Sequence, residues 1–501
     1  MFYSALMLTG VNLLLRFAGT TFQVYLSGRI GAEGIGLLQL VLSIGSLAMV
    51  AGMGGIRTAT MYLTAEELGK GRPENIKWVL SSCMLYSVLI SGSVSIIVTY
   101  FSPLIASAWI GNVNATIPIQ LLAVFLPVNC LCGVMSGYFT GANRIGTLAV
   151  VEVAEQLLSL GITMGLLTFW AANDAVKSCL CVIIGSGGGA CLTLVCLTLL
   201  RLAERAMSAP RFSSKKRLFN TAIPLAIADD LRTGISTAEN IIVPKRLALY
   251  PGVLSPLAAF GTVCGMVFPI LMFPAAILFG LTELLIPEMA RCNASGNIKR
   301  IRYLTSKSLH VTLIFGTICA GILFLAANEL CAALYKNEAA GVYLQYFAPL
   351  ATMLYCDIMI DSMIKGLGYQ KISVCFNILT NAMDIFLLYF LLPVCGIRGY
   401  FLSFLLTHIV NFVLSLFLLI KISNYRIRIK KLTLTLISSI FSAWACNFIS
   451  APLFRCCCYV VILLILLYIL GVINRTDIAW LKKIVMNKKC ACHKRTGTSS
   501  I

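Results

Sequence analysis

Three arginines, Arg16, Arg57 and Arg232, lie inside stretches of this 501-residue chain that are apolar enough to cross a bilayer. A charge at the bilayer centre costs roughly 2.5–3.5 kcal/mol on insertion scales, so three facing lipid would cost about 8–10 kcal/mol. Guanidinium groups at that depth therefore face a protein interior or a hydrated path, and their sign points to something anionic. Around Arg16, the residues Asn12, Thr20 and Gln23 recur at helical spacing and fall within a stripe of about 80°. Around Arg232, Asp229, Ser236, Glu239 and Asn240 fall within roughly 100°.

Two readings of each arginine stand side by side. One faces it to a substrate; the other pairs it with a buried carboxylate such as Asp229, Asp230, Glu152, Glu155, Glu239, Glu283, Asp357 or Asp384. Asp229 precedes Arg232 by three residues and is within reach on one helix face. Arg16 and Arg57 have no acid at that depth in their own helices, which favours the substrate-facing reading for them. Asp229, Asp230, Glu155 and Asp384 are read as cavity charges or as proton or cation coupling sites.

Other chemistry is not in view. Three histidines and no nucleophile constellation leave no catalytic centre to assign, and no cofactor is implied. Gly185-Ser-Gly-Gly-Gly189 lacks the Gly-Lys-Ser/Thr of a phosphate loop and reads as close helix packing. Most of the twenty cysteines sit in apolar segments, where cysteine is a small hydrophobe. Cys490-Ala-Cys492-His493 does not have zinc-finger spacing, so no metal site is expected.

The elements that must hold these residues follow from composition. At 59% hydrophobic, 12% charged and a mean hydropathy of +0.91, the chain reads as a polytopic membrane protein throughout. Fourteen helices are expected, at about 3–27, 35–65, 78–101, 116–140, 146–170, 175–200, 218–244, 254–287, 303–327, 340–364, 372–394, 399–420, 432–450 and 456–473. With the N-terminus inside, the inner connections and tail hold 29 of the 39 Lys and Arg, the outer connections hold 7, and the other 3 are the intramembrane arginines. That asymmetry predicts cytoplasmic termini in the cell membrane. The +20 net charge thus belongs to juxtamembrane segments that attract anionic lipid, not to a nucleic-acid surface.

Gly141-Ala-Asn143-Arg144-Ile145 returns as Gly368-Tyr-Gln370-Lys371-Ile372, and Gly54-Gly55-Ile56-Arg57 matches Gly280-Leu-Thr-Glu283 at nearly the same offset. Two parallel six-helix halves would produce this. The expected organisation is an N-terminal lobe (1–202), a basic linker (203–217), a C-terminal lobe (218–421), two further helices (422–474) and a basic tail (475–501). Spans 1 and 7 then open the two halves, and their polar stripes would face a central hydrated cavity.

Gly31-Ala-Glu-Gly-Ile-Gly-Leu-Leu-Gln-Leu40 resembles the start of the second helix of polysaccharide-type flippases in the multidrug/oligosaccharidyl-lipid/polysaccharide exporter superfamily. The stretch Leu231–Leu247, with Thr237-Ala-Glu239-Asn240, resembles its stage V sporulation protein B branch, as do Gly265-Met-Val-Phe-Pro269 and Leu285-Ile-Pro287-Glu288. The resemblance implies fourteen helices around a V-shaped cavity and a role in spore cortex or cell-wall synthesis. It also implies transport of an undecaprenyl-diphosphate-linked saccharide such as lipid II, in the company of cell-wall synthesis proteins. Relatives line their cavity with arginines of the first and second helices, at positions comparable to Arg16 and Arg57. Guanidinium forks suit diphosphate oxygens, so Arg16 and Arg57, with Arg232, are read as its ligands. Glu239 and Asn240 are read as contacting sugar or peptide, or as bracing the cavity. Rival readings are a cation-coupled multidrug antiporter, which three cationic midplane groups oppose, and a non-transporting scaffold, which needs no charged stripe.

Overall fold

The computed structural model describes residues 2–69, 72–170, 174–202, 215–425, 429–449 and 451–473. The tail from 475 and nearly all of the expected linker lie outside them, as do the side chains of Asn12, Asp229 and Asp230. Every regular element among the described residues is helical.

The first expected span and most of the second form one continuous element, α1 (Phe2–Met53), bent at Gly31 where φ is 68°. The expectation of an unbroken second span needs correction. Gly54 (φ 49°) and Gly55 (φ 68°) interrupt it, and α2 (Ile56–Gly69) begins beyond them. Two successive left-handed residues cannot continue a right-handed helix, and glycine adopts that conformation at little steric cost. The first half continues with α3 (Ile76–Leu104), α4 (Thr116–Gly141), α5 (Ile145–Phe169) and α6 (Ala175–Leu202).

The second half opens with α7 (Lys215–Leu247). The eighth span is assembled from α8 (Pro256–Thr262), a π-helical turn (Val263–Val267), α9 (Phe268–Met272) and α10 (Ala275–Ala294), with a 60° bend at Phe273-Pro274. Proline withholds a backbone donor, which allows the bend. Then come α11 (Ile298–Leu325), the short α12 (Ala327–Tyr335), α13 (Glu338–Phe347), α14 (Ala351–Gly366), α15 (Gln370–Cys395) and α16 (Ile397–Ser423). The chain closes with α17 (Ile429–Cys446) and α18 (Pro452–Ile469).

Each expected span falls on helix. Ten helical stretches among the described residues are long and apolar enough to cross a membrane, or eleven if the bent pair is one span. In that tally α1 and α2 form one stretch, and α7 and α17 are absent. The chain is a multi-pass all-α membrane protein; fourteen remains an expectation of number.

Packing makes the repeat concrete. A Cβ on Gly36 would stand 2.3 Å from the Leu257 carbonyl oxygen, and one on Gly261 would stand 2.1 Å from that of Ala32. Ala32 and Leu257 are 225 residues apart, as are Gly36 and Gly261, so the two contacts are images of each other. A second pair repeats the relation within each half: Gly141 meets the Met61 carbonyl at 2.5 Å and Gly366 meets that of Ile286 at 2.7 Å. These also differ by 225 residues. Small residues let helix backbones approach closely where lipid offers no hydrophobic drive to associate. Leu26, Ile35, Leu38, Phe260, Met266 and Val267, from the segments that cross here, belong to one buried apolar cluster.

The last two described helices pack on α11 through an apolar cluster that includes Leu325, Cys446, Tyr459, Leu463 and Leu467. Tyr459 donates to the Thr317 carbonyl at 2.9 Å and lies 2.8 Å from the Ser439 hydroxyl. Its ring occupies space that any Cβ on Gly321 would fill. Arg455 of α18 is ion-paired with Glu329 of α12.

Candidate functional site

The Gly54–Gly55 interruption positions Arg57. It becomes the second residue of α2, in the first helical turn, where unpaired N–H groups and the helix dipole add partial positive charge to the guanidinium. Arg57 stands 3.9 Å from Glu152 of α5, with side chains 54% and 37% exposed. That spacing is too long for a hydrogen bond, and an open pair of this kind is worth about 1 kcal/mol or less. Glu152 therefore balances the charge and leaves the donors of Arg57 free to meet an anion.

Arg16 is exposed on α1, and its guanidinium lies 5.3 Å from the centroid of the Phe279 ring of α10. The same ring lines a chamber of about 380 Å³ between α7, α10, α14, α15 and α16. Arg232 also lines that chamber, with Thr282, Asp357, Asn377 and Asn411. The structure thus places Arg16 over the Phe279 ring and Arg232 in the chamber that this ring lines, while Arg57 sits at the helix break of the first half.

Glu239 and Asn240 are engaged elsewhere. The Asn240 amide donates to the Ser43 hydroxyl at 2.9 Å, and the Thr237 hydroxyl donates to the Ser43 carbonyl at 3.1 Å. Gln23 donates to the Gly265 carbonyl at 3.1 Å. All three bonds join helices of opposite halves, which gives Asn240 the bracing geometry. Glu239 neighbours Asp384 of α15 where α7 packs on α15. Asp384 is 7% exposed and accepts from Ser403 at 2.5 Å and Thr407 at 3.4 Å. Two neighbouring carboxyl groups repel each other when both are charged. No group of three or more His, Cys, Asp or Glu able to hold a metal occurs among the described residues.

In the first half, Glu155 accepts from Thr193 of α6 at 2.6 Å. Sequence reasoning named Asp357 only as a counter-ion candidate and did not single out Asn377, Asn411 or Phe279. Polar residues of α14, α15 and α16 converge only in three dimensions, and none of them forms a stripe as dense as that of α7.

A MatE family model matches residues 9–165. Stage V sporulation protein B of Bacillus subtilis (strain 168) is 22% identical over 465 residues, covering 89% of this chain and 88% of its own. The lipid II flippase MurJ of the same organism is 23% identical over 465 residues, covering 85% and 84%. A solved structure of the lipid II flippase MurJ in an inward closed conformation superposes with a TM-score of 0.66 at 14% identity, covering 93% of this chain and 98% of that one. The chain is thus a polytopic membrane protein with the fold of the multidrug/oligosaccharidyl-lipid/polysaccharide exporter superfamily, and its sequence resembles that superfamily's stage V sporulation protein B and lipid II flippase branch.

Proposed function

We propose that the protein is a flippase for an undecaprenyl-diphosphate-linked saccharide of spore-cortex or cell-wall synthesis. The observation that carries this reading is the set of intramembrane guanidinium groups held open to a ligand, foremost Arg57 at the α2 terminus with Glu152 at 3.9 Å. A diphosphate gives up its hydration on entering the membrane, and forked donors replace it. Arg16 and Arg57 bind the diphosphate, Arg232 assists from the other half, and the prenyl chain stays in lipid. The names of the two curated relatives, one a sporulation protein and one a lipid II flippase, support the substrate class.

Movement is by alternating access between two lobes, 1–202 and 218–421, in the cytoplasmic membrane with both termini inside. Asp384 with Glu239 is the coupling site for a proton or monovalent cation, with Glu155, Asp229 and Asp230 as further cavity charges. The basic tail and connections rest on anionic lipid. Leaflet-resolved measurement of lipid-linked precursor in a deletion strain lacking redundant flippases tests this. Precursor should accumulate in the inner leaflet; an unchanged outer-leaflet pool would refute the proposal.

A further inference from the structure

The last turns of α7 tie the two halves together. Thr237 and Asn240, about one turn apart, both engage Ser43 of α1: Thr237 meets its carbonyl oxygen at 3.1 Å and Asn240 its hydroxyl at 2.9 Å. The Ser43 hydroxyl spends its proton on the Gln39 carbonyl of its own helix at 2.8 Å, which leaves its oxygen as the acceptor for Asn240. Ser43 and Thr237 are buried. Further along, the Lys245 ammonium donates to the Ala108 carbonyl, in the π-helical turn Ile105–Ile110 that follows α3. Arg246 turns the other way. Its guanidinium donates to the Tyr389 carbonyl of α15 at 3.1 Å and lies 3.4 Å from the centroid of the Tyr389 ring. The end of α7 is thus fixed to its own half by Arg246 and clasped to the other half by Thr237, Asn240 and Lys245.

These bonds break the symmetry that the glycine crossing keeps. At the 225-residue offset, Ser43 corresponds to Phe268 and Asn240 to Leu15. A leucine and a phenylalanine form no hydroxyl–amide bond, so of the two equivalent pairs of positions only the one between α1 and α7 is joined in this way. The difference has an energetic meaning. Parting two apolar surfaces inside a bilayer costs little, because lipid is as apolar as the side chain it replaces. Parting Ser43 from Thr237 and Asn240 strips buried donors of their acceptors until water enters the gap.

We propose that the Ser43–Thr237–Asn240 node, with Lys245 on Ala108, is a latch that holds this end of the molecule shut, and that the end opens by parting α7 from α1. It rests on the two-lobe transport reading, whose orientation puts this end outside, and adds to it the helix pair that gives way. Asn240 then serves the motion of the lobes and not the headgroup. Breaking the node's two bonds together shifts the ratio of open to closed molecules by about tenfold or more.

The test measures two distances in the full chain in lipid nanodiscs, with fluorophores attached through non-canonical residues so that the native cysteines stay. Val113 and Leu254, exposed in opposite halves, report the latched end; Lys77 and Ile298, also exposed, report the other end. Thr237→Val with Asn240→Leu should raise the share of molecules with a long Val113–Leu254 distance about tenfold or more, while the Lys77–Ile298 distance shortens in the same molecules. Ser43→Ala should act in the same direction, and adding it to Asn240→Leu should add little, because both remove one bond. Lys245→Met, at an exposed position, should change the ratio only about two- to threefold. Should the double variant fail to fold, Ser43→Ala decides alone. An unchanged outer distance overturns the latch, as does a lengthening of both distances together, which would mark the node as packing and not as a gate. The measurement uses no substrate, so its failure leaves the substrate class untouched. A normal distance response beside an unchanged outer-leaflet precursor pool would instead strike the flippase reading and leave the latch.

Discussion

The two halves place different chemistry on equivalent helices. At the 225-residue offset fixed by the glycine contacts, Arg57 corresponds to Thr282, Glu152 to Asn377 and Cys132 to Asp357. One half thus sets a cation and an open counter-ion beside a broken helix. The other sets a hydroxyl, an amide and a carboxylate around a cavity. The helix break itself is not shared: Gly54-Gly55 interrupts the second span, whereas its counterpart near Gly280 lies inside α10 and the eighth span bends seven residues earlier, at Phe273. The backbone crossings are shared by the two halves, whereas the linings differ.

The largest effect expected is from removing the charge. Arg16→Ala with Arg57→Ala should weaken binding of undecaprenyl diphosphate by about a hundredfold or more, at roughly 1.5–3 kcal/mol for each charged hydrogen-bonding group. Normal transport by that double variant, measured in proteoliposomes, would remove both residues from the site. A swap sharpens the comparison further. Arg57→Thr with Glu152→Asn gives the first half the lining of the second, and should cost roughly tenfold in diphosphate affinity while the thermal midpoint barely moves. A large loss of stability instead would mean that the Arg57–Glu152 pair is structural.

The shared features should respond alike. Gly36→Ala and Gly261→Ala each place a Cβ against a carbonyl oxygen, at 2.3 and 2.1 Å, and each should cost about 1–3 kcal/mol of overpacking. The readout is the thermal midpoint together with thiol labelling at cysteines introduced near residues 32 and 257. Different responses from the two variants would show that the crossing is not the symmetric contact its geometry describes. The smallest effect lies outside the repeat. Tyr459→Phe removes the hydroxyl that bridges α18 to Thr317 and Ser439 and should lower stability by about 1 kcal/mol. Transport is expected to be unchanged, and a transport defect would bring α17 and α18 into the mechanism.

Much of this was legible in the residues. Long apolar runs have few ways to satisfy their backbone in lipid, so helices and their approximate limits followed from hydropathy. The repeat was legible at Gly141 and Gly368 but two residues out of register: the contacts pair Gly141 with Gly366, and Asn143 with Gly368, both of which have positive φ. The break at Gly54-Gly55 was present as a motif but not as a break, since paired glycines serve equally for close packing. Arg16 and Arg232 were legible as charges in apolar stretches, but their placement at Phe279 and at the chamber it lines was not, because Phe279 is one apolar residue among many. Asn411 was invisible for the same kind of reason: one amide in an apolar helix gains its meaning from Asp357, 54 residues away.

The sequence by itself determined that the chain crosses a membrane many times as helices, and it carried the expectations of an internal repeat and of three arginines within apolar stretches. Those conclusions rest on the cost of exposing charge and backbone to hydrocarbon, which each segment meets on its own. Only the tertiary structure decided which groups are occupied and which stay open. Asn240 is committed to Ser43 and Glu239 lies beside Asp384, whereas Arg57 keeps only a loose partner. Hydrogen bonding and burial depend on what neighbouring helices bring to within about 3 Å, and no single segment encodes that.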